Sequence, residues 1–148
     1  MYARQLIILI ATISIAADPP SREGAARKDL ESIQGTWAAV MLEADGEQAP
    51  PEVVAATKLV FKDDKLTIPG ERPGWENYIF RLDPTTKPAS FEMTHLDGDY
   101  KSLTHKGIYS LETESLKICI TKTDKRPKGF MAKTEYGQAL YVMKREKP

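Results

Sequence analysis

Eight short apolar runs with a period of two follow one another along this 148-residue chain, and their succession is what most limits its fold. Such alternation sends successive side chains to opposite faces of a strand, so each run has one face to bury. The runs are Thr36 to Leu42, Thr57 to Phe61, Leu66 to Ile68, Trp75 to Leu82, Ser90 to Thr94, Lys106 to Leu111, Ser115 to Thr121 and Gln138 to Arg145. Turn chemistry separates most of them: Lys62-Asp63-Asp64-Lys65, the Gly/Pro loop Pro69 to Gly74, Asp83-Pro84 to Pro88, Asp97-Gly98-Asp99 and Glu112-Thr113-Glu114. Proline cannot donate to a sheet ladder, so the segment from Pro84 to Pro88 must leave the sheet. Pro50 to Ala56 reads as a short helix, with prolines ahead of Glu52 and an Ala/Val run.

Runs this short, joined mostly by short turns, predict an antiparallel up-and-down meander. A meander of eight removes its exposed edges by closing on itself. The predicted fold is therefore all-β, an eight-stranded barrel preceded by a short helical turn over Asp29 to Gln34. Alternation places Leu59, Phe61, Leu66, Ile68, Tyr78, Phe80, Phe91 and Met93 inside, together with Tyr109, Leu111, Leu116, Ile118 and Ile120. The last run has no readable phase, because Leu140, Tyr141, Val142 and Met143 are all apolar. Gly35-Thr36-Trp37 stands at the mouth of the first run. The glycine allows a sharp entry into the strand, and the indole is large enough to plug one end of a barrel.

The first seventeen residues read as a cleaved export signal. Arg4 supplies the positive region, Leu6 to Ile15 the apolar region, and Ser14-Ile15-Ala16 or Ile15-Ala16-Ala17 the small residues before the cut. The Leu6 to Ile15 run of ten residues, interrupted only by Thr12 and Ser14, makes roughly 15 Å of helix, about half of a hydrocarbon core, which argues against a permanent membrane anchor. Residues 18–28 are polar, hold two prolines and a glycine, and read as a flexible linker. Residues 29–148 then form one domain, with no internal repeat and no break in composition. Twenty-one basic residues balance twenty-one acidic ones, and loss of Arg4 with the leader leaves a charge near −1. No nucleic-acid partner is expected from that balance, and the local run Lys122 to Lys128 reads as a solvated loop. Cys119 is the single cysteine, so the fold carries no internal disulfide and rests on its core.

Little in the chain points to chemistry. His95 and His105 are the only histidines. If the loop between them folds back, both could face one site with Asp97 or Asp99, but the spacing fits no zinc pattern. Solvated or strand-end histidines, and no metal, are expected. Asp97-Gly98-Asp99 lacks the ligand order of a calcium loop. Cys119, between Ile118 and Ile120, has no base near it in sequence and reads as a small residue packed against the N-terminal segment or a neighbouring strand. Glu112 and Glu114 lie in a hairpin turn, where carboxylates face solvent. No catalytic residues, cofactor or enzymatic activity is expected.

The pattern Leu30…Gln34-Gly35-Thr36-Trp37, then Leu59-Val60-Phe61, then Leu82-Asp83-Pro84…Pro88 resembles the planctomycete lipocalin-like domain family of secreted proteins. Lys106 to Leu111 with Leu116 to Cys119, Arg126-Pro127, Phe130 and Lys144-Arg145-Glu146 extend the likeness from Asp29 to Lys147. The resemblance implies a lipocalin-like barrel from a bacterium with many such paralogues, and it implies no activity. By similarity to lipocalins, Gly35, Trp37 and a basic residue of the last strand, Arg145 or Lys144, would close the barrel, the cation lying over the indole. Two functions fit. The first is a binding module in which Tyr78, Phe80, Phe91, Met93 and Tyr109 line a cavity for a small hydrophobic ligand, the tyrosine hydroxyls serving as polar handles. The alternative is a filled barrel that meets an extracytoplasmic protein partner, with an exposed apolar patch around Trp75 and Tyr136.

Overall fold

The computed structural model describes residues 21–132 and 137–148. The leader expected over residues 1–17 and Tyr136 lie outside the described residues. The chain runs α1 (Arg22–Ile33), β1 (Gly35–Ala44), β2 (Glu47–Gln48), α2 (Pro51–Ala56), β3 (Lys58–Lys62), β4 (Lys65–Thr67), β5 (Asn77–Asp83), β6 (Ala89–His95), β7 (Thr104–Leu111), β8 (Ser115–Thr121) and β9 (Gln138–Arg145). Each strand from β3 to β9 pairs antiparallel with the next. β1 pairs with β3 on one side and β9 on the other, from Trp37 opposite Arg145 to Ala44 opposite Ala139. The result is a closed eight-stranded antiparallel barrel, and β2 is a two-residue flap on β1.

The linker predicted over residues 18–28 is corrected from Arg22 onward, where helix α1 begins. Ser21 caps it, its hydroxyl accepting from the Gly24 amide at 3.1 Å. Glu23 sits in the first turn, where the helix dipole favours an acid. Ala25-Ala26-Arg27-Lys28 are strong helix formers. That stretch shows no apolar periodicity because the large apolar contacts of α1 with the barrel come from its C-terminal part, through Leu30 and the fully buried Ile33. Arg22 meets the wall through an ion pair with Asp83 of β5.

The inner faces supply one core, with Trp37, Leu59, Phe61, Leu66, Tyr78, Phe80, Phe91, Tyr109, Leu116, Ile118 and Met143 all buried. A second cluster lies on the outer wall, where Ile108, Cys119, Leu140 and Ala132 are buried together against Met41, Phe130 and Val142. Cys119 therefore packs, as one of its two expected roles, against Ile108 and Leu140 of the neighbouring strands, and also beneath Ala132 of the segment that follows β8. Its Sγ lies 3.8 Å from the Met131 carbonyl, and burial pushes the thiol up. Two covered faces also explain why β9 has no readable phase: Ala139, Tyr141 and Met143 join the core, Leu140 and Val142 the outer cluster.

The predicted solvated loop Lys122 to Lys128 is corrected at Arg126. Its guanidinium donates to the Phe91 carbonyl at 2.9 Å and the Gly107 carbonyl at 2.6 Å, and pairs with Glu92 at 2.6 Å. This fork straps the segment to the barrel wall, a role that a five-donor planar cation fills and a single ammonium does not.

Candidate functional site

The two ends of the barrel are built differently. Gly35, the first residue of β1, has φ +112°, a conformation that glycine adopts without strain, and it turns the chain out of α1 into the barrel. Trp37 follows with no exposed surface, and its Nε1 donates to the Ile33 carbonyl at 2.8 Å. The Arg145 guanidinium lies over the indole, 4.2 Å from the ring centroid. It also donates to the carbonyls of Gln34 at 2.8 Å, Ser32 at 2.6 Å and Thr113 at 2.9 Å. One cation thus meets the negative end of the α1 dipole, covers the plug and ties the β8 hairpin to both. Lys144 is exposed and plays no such part. The Tyr109 hydroxyl donates to Asp29 of α1, and burial with that bond pushes the phenol up. Tyr109→Phe should cost about 1.5 kcal/mol, the value of a hydrogen bond to a charged acceptor, read as a lower urea midpoint at unchanged slope.

At the opposite end the strands give way to the β4–β5 and β6–β7 loops. Gly74 and Gly98, with φ +85° and +72°, meet back to back. A Cβ on Gly98 would lie 2.6 Å from the Gly74 Cα, so no other residue pair allows the two loops to approach this closely. Beneath that junction are His95, 1% exposed, and His105, 4% exposed. The expectation of solvated histidines is corrected here. They do stand at strand ends, but the loop between them folds back and buries both, with the two Nε2 atoms 2.9 Å apart. His95 Nδ1 lies 2.9 Å from the Gly74 carbonyl, and His105 Nδ1 lies 3.3 Å from the Thr121 carbonyl. Burial, then the neighbouring His95, hold the His105 imidazole below the ordinary histidine range, against the opposing Thr121 carbonyl.

Aromatic rings complete the closure. Trp75 packs edge-on to His95 with centroids 4.9 Å apart and against Tyr100 at 5.0 Å. Arg72 covers the other side of the indole at 4.2 Å. Tyr78 lies 4.6 Å from the His95 ring, and burial pushes its phenol up. Trp75 is thus half-buried in the mouth, against the exposed Tyr100, while the Tyr136 side of the expected patch lies outside the described residues. Asp97 accepts from the Asn77 side chain at 2.9 Å and does not reach either imidazole. Among the described residues, no group of three or more His, Cys, Asp or Glu side chains could hold a metal ion.

Between plug and mouth, Leu59, Leu66, Ile68, Phe91, Met93, Ile118, Ile120 and Tyr141 surround a cavity of about 10 Å³, room for the centre of roughly one water. Of the five predicted ligand contacts, Phe91 and Met93 line this space. Phe80 is packed between Phe61 and Phe91, with centroids 5.0 and 6.2 Å away. Tyr78 belongs to the mouth and Tyr109 to the α1 end. The residues of the mouth that sequence reasoning missed are Gly74, Gly98 and Tyr100. Their only sequence signal is that both loops carry glycine and aromatic residues together.

Fold and ends together define a self-closed antiparallel β-barrel of lipocalin-like architecture, with one end sealed by a helix and a capped indole. Compared with protein families, curated proteins and solved structures, the chain matches none.

Proposed function

We propose that this chain is an exported, non-catalytic module of the lipocalin-like family it resembles, with a barrel filled by its own side chains, acting on an extracytoplasmic protein through its outer face and rim loops. The observation that carries this reading is the interior volume. The space lined by Phe91 and Met93 measures about 10 Å³, whereas small-molecule pockets typically hold several hundred. A second reading, a binding module for a small hydrophobic ligand, is favoured by one feature: Phe91 and Met93 line an apolar space beneath an end closed by loops. A ligand would then have to displace the aromatic residues of the mouth.

Native mass spectrometry of residues 18–148, exported to a bacterial periplasm, separates the two. The filled barrel predicts the bare polypeptide mass before and after organic extraction, and no uptake of a fluorescent fatty acid. A defined mass lost on extraction would reject it in favour of the ligand carrier.

A further inference from the structure

The histidine pair poses a question of proton count. Carbonyl oxygens only accept, so the contacts of His95 Nδ1 with Gly74 and of His105 Nδ1 with Thr121 each call for an N–H. The contact between the two Nε2 atoms calls for one more. Three contacts call for three protons, and two neutral imidazoles carry two. The neutral pair satisfies the two 2.9 Å contacts and leaves the 3.3 Å contact to Thr121 without its proton. One added proton goes to His105 Nδ1 and completes the set with no bond broken. A second would place two N–H groups head to head across 2.9 Å, and the rings must separate.

We propose that His95 and His105 form a proton-operated latch that holds the mouth of the barrel shut and releases it when both rings are protonated. The latch joins moving parts to the wall. His95 holds the β4–β5 loop through Gly74 and packs on Trp75 and Tyr100, while His105 is anchored to the end of β8 at Thr121. The charged and titratable groups on the elements packed against it are Glu71, Arg72 and Glu76 of the β4–β5 loop, Tyr78 of β5, Asp97, Asp99, Tyr100 and Lys101 of the β6–β7 loop, Lys106 of β7, and Lys122, Asp124 and Lys125 after β8. Among the described residues no carboxylate bonds to either ring, and Arg72 and Lys122 add positive charge to the surroundings. A doubly charged pair therefore finds no counter-ion among the described residues and is relieved by opening to water.

The sign follows from linkage. The folded His105 lies below its ordinary value of 6.5, so closure is fully supported above that pH and weakens as the pH falls through and below it. The opening constant should rise between about ten- and a hundredfold per pH unit, according to whether opening takes up one proton or two.

The test is hydrogen exchange and imidazole ¹⁵N NMR on residues 18–148 between pH 8 and 4. Exchange is corrected for its own pH dependence. The expected result is a pair of unlike tautomers at pH 8, with His95 protonated on Nδ1 and His105 on Nε2. Below pH 6 the amides of the mouth loops should lose at least tenfold protection while Trp37 and Met143 keep theirs. His105→Gln should abolish that step. Independent titration of both rings near 6.5 with unchanged loop protection would refute the latch. So would loss of protection at both ends together, or a step that survives in His105→Gln. Should that variant not fold, the wild-type tautomers and the order of exchange decide alone. The latch holds or fails independently of whether the barrel carries a ligand.

Discussion

Trp37→Ala is expected to lower stability by roughly 4–6 kcal/mol, the largest effect of any single substitution at the sealed end. Truncating a fully buried indole costs about 3–5 kcal/mol in lost transfer and cavity energy, and the Arg145 contact adds about 1 kcal/mol. Three consequences separate these contributions. Trp37→Phe keeps most of the volume but leaves the Ile33 carbonyl without its donor, and should cost about 2 kcal/mol. Arg145→Lys should not behave as a conservative change, because one ammonium cannot reach the Gln34, Ser32 and Thr113 carbonyls and cover the ring. A double-mutant cycle between Trp37→Phe and Arg145→Met should return a coupling near 1 kcal/mol. Additivity in urea denaturation would mean that the cation merely lies nearby.

Gly107→Ala is the second large effect, about 3 kcal/mol. Gly107 is in β7, where a glycine ordinarily weakens a strand and marks a close approach of backbones. A Cβ there would lie 2.5 Å from the Cys119 carbonyl oxygen and 2.9 Å from the Ile120 Cγ2. The first neighbour is backbone of the paired strand β8, which cannot move aside without breaking the ladder. Its own carbonyl also receives Arg126, so displaced backbone would loosen the strap over the outer wall. Overpacking costs typically 1–3 kcal/mol in cores with flexible neighbours, and a backbone neighbour puts this site at the upper end. Gly129→Ala is the control: nothing lies within 4 Å of its Cβ, and a change within about 0.5 kcal/mol is expected. Equal unfolding midpoints for the two variants would contradict the packing argument.

The barrel was legible because its cause is local. Most strands in the wall show their own alternation, β9 being the exception, and Tyr78, Phe80, Phe91, Met93 and Tyr109 were placed inward for that reason alone. Alternation says which face a residue occupies, not how tightly opposite walls approach. That is why the same five residues divide between cavity, core, mouth and helix end in three dimensions. Arg145 over Trp37 followed from resemblance; its three carbonyl partners depend on where α1 ends and are invisible in one dimension. Residues 22–28 were misread because their helix is held by a cap and by intrinsic propensity, which leave no apolar stripe. Arg126 was misread because a basic loop looks alike whether it meets water or a sheet.

By itself, the sequence of this protein determined the strand order, the inward set, the glycine and indole that open the first strand, and the absence of a disulfide. These depend on side-chain period, turn residues and covalent composition, all of which act between near neighbours. Only the tertiary structure decided that Phe91 and Met93 line a space of about 10 Å³ and that Cys119 lies beneath the segment after β8. It alone set His95 and His105, ten residues apart, ring to ring in the mouth. Closing a barrel fixes contacts through the twist and radius of the whole sheet, and no local pattern records either.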